Sequence, residues 1–167
     1  MARTIQAALL AVYGGWLLVA YRWHLVDGAN LLFHEAGHVF FAWGPPTLRI
    51  LGGTLGQLFF PIAAGLHFLG RGRVQDAAVC LVWLGENGMN IAVYAADAQA
   101  QALPLVGGEI HDWHWLLSRW GLLAHCHGVA SAIHALGALA VLAGVGLAMA
   151  VAWPRSTEEE AATGAGL

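Results

Sequence analysis

The chain contains no lysine: its seven basic residues are all arginine, and charged residues of both signs fill only 10% of its 167 positions. A soluble domain carries roughly 25%. That shortage excludes a water-facing surface of ordinary composition, and the lack of any basic patch excludes nucleic acid as a partner. Cysteine is scarce as well. Cys80 and Cys126 alone form no disulfide framework. Cys126 lies between His125 and His127, but three consecutive residues point in different directions and make a poor metal site.

What the chain has is apolar length. Hydrophobic residues make up 59% of it, and several runs approach the roughly 20 residues that a membrane span requires. The runs cover about 5–21, 29–43, 50–70, 74–96 and 128–153, with a polar, His-rich connection over 97–127. Pro45 and Pro46 close the second run, Pro61 predicts a kink in the third, and Pro154 ends the last. These features predict an all-α polytopic helix bundle in a lipid bilayer, with four to five spans. Residues 1–154 form one membrane-embedded domain, and 155–167, with Glu158, Glu159 and Glu160, form a disordered acidic tail. The arginine-only, Gly- and Ala-rich composition points to a bacterial protein, hence the cytoplasmic membrane.

The second run is short. Fifteen helical residues rise about 22 Å, below the roughly 30 Å hydrocarbon thickness. It is either a tilted span or a re-entrant helix. Counting arginines for either case places the 71–73 turn and the C-terminus in the cytoplasm and the 97–127 connection outside.

That short run carries "LLFHEAGHVFFAWG", in which His34, Glu35 and His38 form H-E-x-x-H. Positions i and i+4 share a helix face, so the two imidazoles can converge on one ion. Glu35 is rotated about 100° from His34 and stands beside that ion, where it can act as a general base on water. Ionisable groups at membrane depth cost several kcal/mol each, which argues for a compensating metal. Zinc suits imidazole ligands. One ion is expected, or two if the site is a dinuclear carboxylate–histidine centre.

"FHEAGHVFFAWG" resembles the zinc-binding helix of integral-membrane metalloproteases of the site-2 protease type. The resemblance covers about 15 residues. It implies that His34 and His38 bind zinc and that Glu35 activates water. The family's third ligand is an aspartate in an Asp-Gly motif on a later helix; here the only Asp-Gly is Asp27-Gly28, before the motif.

Two later regions compete for the third ligand. Glu86, Asn90, Tyr94 and Asp97 form one stripe on the fourth helix, and such a stripe faces a bundle interior. Glu86 leads, completing a His-His-Glu site, with Asp97 behind it. In "GGEIHDWHWLLSRWG", His111 is the alternative ligand, and Asp112 can orient a ligating histidine. His111, His114 or Asn90 could stabilise an oxyanion. His67 and His134, single in apolar spans, suit interhelical hydrogen bonds, and His24 has no assigned role.

The expectation is a membrane-embedded zinc hydrolase, first of all a metallopeptidase, acting on a membrane-associated peptide or lipid. The alternatives are a non-catalytic metal transporter or sensor and a lipid-modifying metalloenzyme.

Overall fold

Asp27 folds back onto the backbone N–H of His24, with Oδ2 accepting it at 2.8 Å, and this reciprocal cap opens a helix four residues before the second apolar run. In the computed structural model, which describes residues 1–106 and 108–153, the order is α1 (Ala2–Ala20), α2 (Leu25–Phe40), α3 (Pro46–Gly70), α4 (Val74–Ala96), α5 (Asp112–Arg119), a 3-10 turn (Leu123–His125) and α6 (Cys126–Ala152). The described residues contain no strand. The expected acidic tail, 155–167, lies outside the described residues. α3 starts at Pro46, earlier than its apolar run, because proline fits a helix's first turn, where its missing donor has no intrahelical role. It then runs through Pro61 as one helix.

Small residues set the helix crossings. α2 and α3 run antiparallel, with Gly37 against Gly52 and Gly56, and Phe33 stacked on Phe60. α3 and α4 form the next antiparallel pair, Gln57 bonding Asn90 at 2.8 Å. α4 and α6 close through Gly85 and Gly88 against Gly137, with Gly144 against Ala78 and Val82. α1 lies on α6 and α4, burying Ala7, Leu10 and Leu17 with Val82, Met89 and Val141. α4 is therefore the central helix.

Two contacts orient the bundle. Gln75 donates to the Arg3 carbonyl, which brings the starts of α1 and α4 to the same end as the 71–73 turn. Cys126 meets the Ala96 carbonyl, which places the start of α6 at the other end. α1 climbs from the first end and α3 descends to it, so α2, which joins them, begins and ends in the far half of the molecule.

Three helical stretches, Ala2–Ala20, Pro46–Gly70 and Leu123–Ala152, are long and apolar enough to cross a membrane. That is fewer than the four to five the sequence predicts. α4 has 23 residues, about 34 Å of helix, but its polar residues set it apart from these three, and α2 is short and does not traverse the bundle. Burial is inverted relative to a water-soluble protein. Val12, Val19, Leu25, Leu32 and Val39 are exposed, while Asp27, Asn30, Gln57, Glu86 and Asn87 are buried. A bundle surrounded by lipid has this pattern. His67 and His134 are exposed on its outside rather than held between helices.

Candidate metal centre

The i, i+4 spacing on α2 brings the Nε2 atoms of His34 and His38 to 3.1 Å from each other. The third group is Asp112, the first residue of α5. Its Oδ2 lies 2.9 Å from His34 Nε2 and 3.0 Å from His38 Nε2. A tetrahedral zinc ion with bonds of about 2.0–2.1 Å separates its donor atoms by about 3.3 Å. The three side chains therefore already stand near the corners of such a site, as a His-His-carboxylate donor set should.

The hydrogen bonds behind the ligands support this arrangement. His38 Nδ1 lies 2.9 Å from the Arg49 carbonyl oxygen, which can only accept, so Nδ1 carries the proton. In the neutral ring, Nε2 then presents a lone pair toward a carboxylate oxygen and a second imidazole. Three donor atoms converging in this way form a group that could hold a metal ion. Asp112 is held by its own backbone: its N–H donates to Tyr94 Oη at 3.1 Å. Burial pushes the Asp112 carboxyl up, but positive charge or a proton on the two facing imidazoles outweighs this and holds it below the usual range.

Gly53 on α3 keeps the space open. A Cβ there would fall against Nε2 of both His34 and His38, 2.5 Å from the latter, where the converging lone pairs point. Gly37 lets the two backbones come this close, since a Cβ on it would run into the Gly52 carbonyl. Glu35 is partly buried, and with both histidines and Asp112 it lines a cavity of about 910 Å³. Leu103, Pro104, Leu105 and Val106 from the 97–111 connection line it as well, next to Tyr94 from α4.

The other residues singled out in the sequence lie elsewhere. Glu86, the expected third ligand, accepts from Asn30 Nδ2 at 2.7 Å and belongs to a separate buried cluster with Asp27 and His24. The stripe on α4 does face inward, but only its Tyr94 end reaches the histidine pair. Asp97 accepts the N–H groups of Ala102 and Leu103, each at 3.0 Å, and faces His111 Nε2 at 3.3 Å. Burial pushes Asp97 up, but these backbone donors keep it below the usual carboxylate range.

His111 caps α5. Its Nδ1 accepts the His114 N–H, which leaves Nε2 to donate to Asp97 and no lone pair for a metal. Burial pushes its pKa down, opposed by Asp97. His114 donates to the Ala98 carbonyl at 2.8 Å, and Asn90 donates to Asp27 at 2.7 Å. Sequence reasoning misses Gly53 and the Arg49 carbonyl, because neither residue type signals a metal site. The chain matches no family model, no curated protein and no solved structure.

Proposed function

We propose that the protein is a membrane-embedded zinc-dependent hydrolase acting on peptide bonds. The observation that carries this reading is the convergence of His34 Nε2, His38 Nε2 and Asp112 Oδ2 beside Glu35 on a cavity wall. When bound, zinc supplies a Lewis acid and brings the pKa of water to about 7. His34, His38 and Asp112 hold it. Glu35 takes the proton from the attacking water and delivers it to the departing nitrogen. The water oxygen joins the carbonyl carbon, the C–N bond breaks, and the amine leaves with the proton. Tyr94, whose oxygen accepts the Asp112 N–H, keeps its hydroxyl hydrogen for a group in the cavity.

The apolar exterior makes a membrane-associated peptide the natural substrate, reached through a cavity of ordinary ligand-site size. In this reading α4 is a fourth crossing helix and α2 a non-crossing one. Arg3, Arg71 and Arg73 share one end of the bundle, which we assign to the cytoplasm of a bacterium. A metal transporter or sensor would draw on the His-rich connection, but His111 and His114 are engaged by Asp97 and the Ala98 carbonyl. A dinuclear lipid-modifying centre would need Glu86 and Asp97 near the histidine pair. Among the described residues, the groups that could hold a metal are His34/His38/Asp112 and His24/Asp27/Glu86, and Asp97 is in neither.

The test is zinc content of the detergent-purified protein together with cleavage of a quenched fluorescent peptide library in micelles. About one zinc per chain is expected in the parent and in Glu35→Gln, and little in His38→Ala or Asp112→Ala. Cleavage should fall by roughly 10²–10⁴ in Glu35→Gln. Zinc retained in Asp112→Ala would remove the third ligand. Equal cleavage in Glu35→Gln would remove the hydrolase reading.

A further inference from the structure

The bundle buries a second cluster of ionisable groups that the metal centre does not use. Asp27 is fully buried, and its carboxylate is saturated with donors. Oδ1 accepts Tyr21 O–H at 2.6 Å and Asn90 Nδ2 at 2.7 Å. Oδ2 accepts the His24 N–H at 2.8 Å and faces His24 Nδ1 at 2.6 Å. These are the partners from which a carboxylate oxygen accepts. Its lone pairs are occupied, and His24 Nε2 is taken by Tyr13 Oη at 2.7 Å. A metal at Asp27 and His24 would have to displace these partners.

Glu86 is in the opposite state. It too is fully buried. Its Oε2 has one close donor, Asn30 at 2.7 Å, and a distant one, Asn87 at 3.5 Å. Its Oε1 has no partner among the described residues. An oxygen of Glu86 lies within 4.8 Å of the Asp27 carboxylate and the His24 ring. Ionised, it would be a second negative charge in an apolar interior, with an orphaned oxygen. Protonated, that oxygen becomes a donor. Asn87 Oδ1, on the adjacent residue, is a buried acceptor that also lacks a donor.

Among the groups facing this cluster the one that can carry positive charge is His24, and it is paired with Asp27 rather than Glu86. α1 contributes Tyr13, the following segment Tyr21 and His24, and α2 Asp27. α3 contributes the neutral Gln57, bonded to Asn90. α6 meets α4 beside Glu86 through Gly137 and Val141. No lysine or arginine forms an ion pair there among the described residues.

We propose that Asp27 and Glu86 form a second, metal-free site whose ligand is one proton, carried by Glu86 beside the Asp27 anion. Tyr21 and Asn90, which both bond Asp27, also line the cavity of the metal centre. The site is thus one hydrogen bond behind the cavity wall. When it empties, Glu86 becomes a carboxylate and the proton passes to water in the cavity; the reverse step refills it. This inference does not depend on the hydrolase reading.

The test is infrared difference spectroscopy of the full chain in lipid at neutral pH, following the C=O stretch of a protonated carboxyl. A band that moves on ¹³C-labelling of glutamate side chains, and is absent from Glu86→Gln while present in Glu35→Gln, is the expected result. The labelling result stands even if Glu86→Gln does not fold. In Asp27→Asn the band should titrate at lower pH, since a neighbouring negative charge is gone. The proposal is overturned by the absence of any such band, by a band that moves with aspartate labelling, or by one that survives in folded Glu86→Gln. A second metal equivalent per chain, lost in Glu86→Gln, would overturn it in favour of a cation.

Discussion

Gly53 shows what a single missing methyl group does at the residue scale. In most exposed helices, replacing glycine with alanine stabilises by about 1 kcal/mol, because alanine loses less backbone entropy. At Gly53 the added carbon would sit against Nε2 of both His34 and His38 and push the rings apart. Gly53→Ala should therefore lower zinc affinity by at least ~10-fold, about 1.4 kcal/mol, and also lower the melting temperature of the metal-free protein, because the displaced rings bond Asp112 and the Arg49 carbonyl. Metal titration followed by thermal unfolding in detergent separates the two effects. Unchanged affinity would mean that the nitrogens do not converge where Gly53 leaves room.

At the scale of elements, the packed pair α4 and α6 matters most. A Cβ on Gly85 would lie 2.5 Å from the Gly137 carbonyl oxygen and 2.8 Å from the Val141 nitrogen. Both are backbone atoms, so no side chain can swing away. Gly85→Ala should cost about 1–3 kcal/mol through this overpacking, read as a lower melting temperature with the zinc content of the folded fraction unchanged. A melting temperature equal to the parent's would show that the helices can separate freely. The same helix marks the limit of what the sequence tells. Periodicity places Glu86, Asn90 and Tyr94 on one inward face, and i, i+4 spacing pairs His34 with His38. Periodicity does not say that the interior holds two polar clusters, or which residue of the stripe meets which. Asp112 is harder still. Its position depends on how the 97–111 connection folds back over the cavity, and that is fixed by Asp97, which gathers the backbone of Ala102 and Leu103.

For the whole molecule, the contacts between helix ends bear on whether α2 spans, which counting arginines leaves open. Because α1 and α3 share one end and α2 joins their far ends, the motif helix lies in one half of the bundle. In the proposed topology the 97–111 connection faces outward. A cysteine introduced at Gly108 should react with an impermeant maleimide in intact cells, whereas one at Gly70 should react only after permeabilisation. The two native cysteines are buried and contribute little background. The opposite labelling pattern would invert the assignment.

The 74 positions that separate Asp112 from His38 also have a meaning in time. Chains are synthesised at roughly 5–20 residues per second, so Asp112 follows the histidine pair by roughly 4–15 s. During that interval α2 and α3 can already meet, yet the carboxylate that completes the donor set does not exist. On the proposed reading, a nascent chain thus passes its neighbours with the centre incomplete, and competence would arrive only once α4 and α5 are in place.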